Sequence, residues 1–131
     1  MDFTLENVEN YTKNLTWMLK ALKQIEKEFY SQAWVFTKPT LAESVFEDIS
    51  QQLEPKICRL IENNGVQYCK QILYTIDVTE RQITTALALN TDAHFSNVLT
   101  NIIIKRCLQK VLIRNYYKSP EKDALGSSLE E

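Results

Sequence analysis

The sequence predicts an all-α protein, an irregular antiparallel bundle of four to five helices with a disordered C-terminal tail. Three observations carry that prediction. Glycine occurs twice and proline three times in 131 residues, too seldom for the tight turns of a sandwich or small barrel. Apolar residues recur at helical spacing through most of the chain. Capping and stop signals fall between the periodic stretches. One helical domain is therefore expected over residues 1–118, and a flexible acidic tail over residues 119–131.

The first helix is expected from about Leu5 to about Ala33. Val8, Leu15, Leu22 and Phe29 recur every seven residues, with Tyr11, Met18 and Ile25 between them and Leu19 widening the stripe. Thr4 and Asp2 are candidate caps. The aromatic stretch from Phe29 to Phe36 follows, and Thr37-Lys38-Pro39-Thr40 breaks the helical pattern. Thr40 and Glu43 have the spacing of a capping box, which would open a second helix through Val45, Ile49, Leu53, Ile57 and Ile61. Pro55 is expected to kink or restart it. Asn63-Asn64-Gly65 is a stop, with Gly65 suited to a left-handed C′ position.

Residues 66–76 read as a third helix in preference to a strand, since no partner strand is evident. Thr79 and Gln82 form a second candidate capping box ahead of a short helix through Ile83 and Leu87. Asn90-Thr91-Asp92 is the expected cap of the last helix, which runs from about Ala93 to Tyr117 and stops at Ser119-Pro120. This last helix changes face. Phe95, Val98, Leu99, Ile102 and Ile103 lie on one side, whereas Ile104, Cys107, Leu108, Val111 and Leu112 lie on the other. A helix central in the fold, covered by different neighbours on each half, accounts for that switch.

The formal charge of −2 argues against general polyanion binding. It is a cancellation, however: residues 66–120 carry a balance of +4 between two acidic segments. Within the basic part Arg106, Lys110, Arg114 and Lys118 are each four apart and share one helix face. A solvated face is the plain reading of such a row. It could also steer an acidic protein partner, or contact nucleic-acid phosphates.

Catalytic patterns are scarce. His94 is the sole histidine, and Cys107, its nearest cysteine in sequence, lies more than three turns away. No Cys-x-x-Cys, phosphate-cradling glycine loop or paired Glu-x-x-His motif occurs. Asp77 to Leu87 lacks the turn glycine and the base-reading donors of a DNA-binding helix-turn-helix. Cys58, Cys69 and Cys107 are odd in number and widely spaced, as buried free thiols of a reducing cytoplasm would be. The first residues show no secretory signal pattern, and the longest uncharged run, 93–104, is too short to span a membrane.

The expected function is that of a non-enzymatic protein-interaction or assembly module, an adaptor or scaffold, with a homodimer among its expected forms. Trp17, Trp34, Phe36, Tyr116 and Tyr117 are the candidate protein-contact residues. The alternative is a small nucleic-acid-binding protein acting through Arg106, Lys110, Arg114 and Lys118. No cofactor, metal, membrane or small-molecule substrate is expected.

Overall fold

The computed structural model describes residues 3–5 and 7–118, and the backbone alone of Lys118. The predicted tail, residues 119–131, and the candidate cap Asp2 lie outside the described residues. Five α-helices make up the described chain: α1 (Leu15–Glu28), α2 (Val45–Asn64), α3 (Val66–Thr75), α4 (Glu80–Leu89) and α5 (Phe95–Lys118). There is no strand among the described residues, so residues 66–75 are helical as the sequence predicts.

The predicted first helix is broken in two. A 3-10 turn over Asn7–Tyr11 comes first, and α1 starts only at Leu15. Asn14 makes the break: its backbone is extended, and its side-chain oxygen accepts the Trp17 N–H at 3.0 Å. That N-cap bond satisfies a donor the helix start would otherwise leave orphaned. The seven-residue repeat persists across the break, since Val8, Met18, Leu22, Ile25 and Phe29 are all buried. At its other end α1 stops at Glu28, five residues before the expected Ala33. A second 3-10 turn, Tyr30–Gln32, and a left-handed Ala33 (φ 54°) redirect the chain.

The expected Thr40–Glu43 capping box does not form. A short 3-10 turn over Ala42–Ser44 leads into α2 instead, and Ser44 precedes that helix without a side-chain cap bond. Pro55 sits inside α2 without interrupting it. Pro55 and Gln51, whose carbonyl loses its usual donor, are both exposed, so water can take over the missing bond. Gly65 ends α2 by donating its N–H to the Ile61 carbonyl at 2.7 Å. Its φ of 92° and ψ of 161° lie outside the expected left-handed basin, in a region open essentially to glycine alone, and α3 begins at the next residue.

The Thr79–Gln82 capping box forms as expected. Thr79 Oγ1 accepts the Gln82 N–H at 3.1 Å, and Gln82 Oε1 accepts the Thr79 N–H at 2.9 Å. Asn90 has a different role from the predicted one. Its side-chain amide donates to the Ala86 carbonyl at 2.7 Å, which closes α4, and α5 opens only at Phe95.

The core centres on α5. Helices α1, α2 and α4 and the first 3-10 turn all pack against it. Val98, Leu99, Ile102 and Ile103 on one side, and Ile104, Cys107, Leu108, Val111 and Leu112 on the other, are buried. The change of face is thus that of a central helix with neighbours all round. Each such aliphatic side chain removed from water contributes about 1.5–3 kcal/mol. Thr100, also fully buried on α5, donates its hydroxyl to the Ser96 carbonyl at 2.8 Å and leaves no donor unmet.

Candidate interaction site

The basic row on α5 does not lie on a freely solvated face. Lys110 Nζ is 2.6 Å from Glu28 Oε2 on α1 and 3.7 Å from Asp77 Oδ2 in the turn after α3. Arg106 Nη2 is 3.6 Å from the same Asp77 oxygen, and its Nη1 donates to Gln109 Oε1 at 2.7 Å. Arg114 Nη2 donates to Gln24 Oε1 at 3.0 Å, and Gln24 Nε2 donates in turn to Glu28 Oε2 at 2.7 Å. Lys110 and Glu28 side chains are 19% and 18% exposed, so this pair is largely withdrawn from water. Asp77 reaches both cations from a left-handed backbone (φ 69°), which aspartate tolerates better than most residues. The result is a continuous polar seam stitching α1 to α5. The Lys118 side chain lies outside the described residues.

Three of the five predicted contact residues belong to one row of rings. Trp17 meets Tyr11 edge to face at 6.5 Å, Tyr11 meets Phe3 at 6.3 Å, Phe3 meets Tyr116 at 6.1 Å, and Tyr116 meets Tyr117 at 5.0 Å. These are favoured edge-on arrangements. Lys20 caps the far end, 5.6 Å above the Trp17 ring. Tyr11 and Phe3, which supply the links, were not among the predicted contact residues. The row fastens the N-terminal segment to the end of α5, and Tyr117 is its most exposed member at 69%.

Trp34 and Phe36 lie elsewhere, on the connection that follows α1. Trp34 stacks on buried Phe29 with ring centroids 4.7 Å apart. Lys56 of α2 lies 5.1 Å over the Phe36 ring. One residue after Phe36, the side-chain amide of Gln52, also on α2, grips the Thr37 backbone at both ends. Gln52 Oε1 accepts the Thr37 N–H at 2.7 Å, and Gln52 Nε2 donates to the Thr37 carbonyl at 2.8 Å. The connection is therefore a strap held in place. It also displays Tyr30 at 84%, Val35 at 81% and Leu41 at 64% exposure. Leu41 and Gln52 carry no contact signal in the sequence; their parts depend on where the strap lies against α2.

A groove of about 650 Å³ opens between the N-terminal segment, α4 and α5, with Leu5, Arg81, Leu89, Asn101 and Lys105 among its walls. A hollow of about 550 Å³ follows Gln51, Pro55, Cys58 and Arg59 along α2. His94 is exposed ahead of α5 and lines neither. Burial pushes the Cys69 thiol up to about 11. Burial, with Glu28 adding to it, pushes Cys107 up to about 12. Both therefore stay neutral thiols at physiological pH. Among the described residues, no group of three or more His, Cys, Asp or Glu is placed to hold a metal ion, and no helix is long and apolar enough to cross a membrane. Comparison of the chain with protein-family models, with curated proteins and with solved structures finds no match.

Proposed function

We propose that the protein is a non-enzymatic interaction module that binds a protein partner, in the cytoplasm, through the strap between Tyr30 and Leu41. One observation carries this reading. Three large apolar side chains, Tyr30, Val35 and Leu41, stand 84%, 81% and 64% exposed on a segment whose backbone is pinned by Gln52. Exposed apolar area of this density is rarely kept by a monomer without use. A surface already held in shape loses less conformational freedom on binding than a loose loop would. Trp34 and Phe36, half-buried between the exposed groups, supply the wide flat area typical of contact centres. Tyr117 offers a smaller second contact at the other end of α1.

The nucleic-acid reading draws less support. Binding phosphates would require Arg106 and Lys110 to give up Asp77 and Glu28.

The test is site-specific photo-crosslinking in the full chain, with the reactive residue at Val35, at Tyr117, or at Glu62 on the exposed side of α2 as control. Val35 is expected to capture a protein and Glu62 to capture none. Capture from Tyr117 and not from Val35 would move the contact to the aromatic row. A polyanion complex that weakens steeply with salt and is lost in Arg114→Glu would replace the protein reading with the nucleic-acid one.

A further inference from the structure

We propose that the strap pairs edge to edge with the strap of a second copy of this chain, as a two-stranded antiparallel ribbon centred on Phe36. This rests on the reading of the strap as the contact surface, and adds to it the identity of the partner and the chemistry of recognition.

The geometry starts at Thr37. One side-chain amide bonds both its N–H and its carbonyl, at 2.7 and 2.8 Å. Those two groups of one residue point the same way only in an extended backbone, where they would otherwise bond a neighbouring strand. Exposure alternates accordingly: Trp34 and Phe36 are half-buried, Val35 and Thr37 exposed. Lys38 precedes Pro39, which also drives it to extended backbone. The N–H and carbonyl groups of Val35 and Thr37 thus face α2, and those of Trp34, Phe36 and Lys38 face the opposite edge. Among the described residues no hydrogen bond reaches the backbone of those three. Pro39, which lacks an N–H, is buried, so the alternation ends at Thr37; the Lys38 N–H still faces outward because it shares a trans peptide with the Thr37 carbonyl that Gln52 binds. The outer edge therefore keeps all its donors.

An edge of this kind recognises another extended backbone, and its side chains select its own copy. With the two-fold axis at Phe36, that residue pairs with itself and Trp34 pairs with Lys38 of the second copy. About six backbone hydrogen bonds close. Phe36 meets Phe36 as a cross-strand aromatic pair, and each Lys38 ammonium faces a Trp34 ring. Lys38 is the sole charged residue between Ala33 and Ala42, so this register sets no like charges opposite one another. A slip that brings Lys38 against Lys38 is penalised. The pairing also stops at two chains, because the inner edge is already occupied by Gln52 and the two-fold uses up the outer one.

The experiment combines light scattering over a concentration series with amide hydrogen exchange on the full chain. The mass is expected to rise from one chain to two. With that rise the amides of Trp34, Phe36 and Lys38 slow down, Val35 stays fast, and Thr37 is slow throughout. Lys38→Pro removes an outer-row donor from each copy at an exposed position. It should weaken the dimer about tenfold or more, since roughly two backbone hydrogen bonds and both Lys38–Trp34 contacts are lost. Val35→Pro removes an inner-row donor and should leave the dimer within about twofold, well under the worth of one such bond. A chain that stays monomeric at every concentration overturns self-pairing, as does a dimer in which Lys38→Pro and Val35→Pro act alike. If that monomer still crosslinks a different protein from position 35, the contact reading stands and only the choice of partner falls.

Discussion

Replacing Glu28 with glutamine tests whether the α1–α5 seam behaves as an interior. The substitution keeps the shape and one acceptor oxygen but removes the charge that faces Lys110 Nζ at 2.6 Å. The ammonium is then left with Asp77 at 3.7 Å, a carboxylate whose side chain is 68% exposed. Stripping one partner from a fully buried pair costs about 3–5 kcal/mol, because the remaining charge stays desolvated. Here both side chains keep nearly a fifth of their surface and Asp77 remains, so about 2 kcal/mol is expected. With a urea dependence of about 2 kcal/mol per molar, the unfolding midpoint should fall by roughly 1 M. Adding Lys110→Met should recover most of the loss, since no orphaned cation then remains. A loss below about 0.5 kcal/mol, the level of an exposed pair, with no recovery in the double variant, would refute the interior account.

Other expectations follow from single contacts. Thr79→Ala breaks the capping box ahead of α4 and should cost about 1 kcal/mol in a denaturant melt. Gly65→Ala should cost about 1–3 kcal/mol although no atom lies within 4 Å of the added methyl, because φ 92° with ψ 161° strains any side chain. Cys69 and Cys107 have folded-state values of about 11 and about 12, above the ordinary 9. A raised folded value means a contribution that is complete below pH 9 and lost as pH climbs through 11 and 12. The urea midpoint should therefore fall between pH 8 and pH 10.5, and fall less in the Cys69→Ala/Cys107→Ala variant. Iodoacetamide at pH 8 should label half-buried Cys58 first, with Cys69 and Cys107 reacting only on unfolding.

Signals confined to one helix turn were readable in the sequence. Thr79 and Gln82 sit three residues apart, and the bonds between them form as their spacing implies. The two-sided α5 was readable for a similar reason: the positions of Leu99 and Leu108 on opposite faces follow from helix geometry alone. Asn14 was not, because the repeat from Val8 to Phe29 keeps its period across the break and a capping asparagine leaves no trace in apolar spacing. The fate of the basic row was hidden too. Glu28 lies 82 residues before Lys110 in the chain, and the meeting depends on how α1 is set against α5. Gln24 and Glu28 are spaced by four, as are Lys110 and Arg114, which suits two antiparallel helices facing each other. The candidate contact residues divided for the same reason. Sequence proximity placed Trp34 and Phe36 together, but only the fold could link Trp17 to Tyr116 through Tyr11 and Phe3.

The placing of α5 at the centre also dictates when the protein can fold. Helices α1, α2 and α4 reach their buried partners chiefly through α5, which follows all of them in the chain. The seam contact from Gln24 to Arg114 spans 90 residues, so its loop-closure entropy is lost before it yields any stabilisation. Helical proteins usually collapse quickly through neighbours in sequence; this one must wait. While it is being synthesised, α1 emerges with Met18, Leu22 and Ile25 uncovered and stays so until α5 arrives. A message cut short before α5 would yield not a smaller domain but sticky, protease-sensitive fragments, a burden for chaperones.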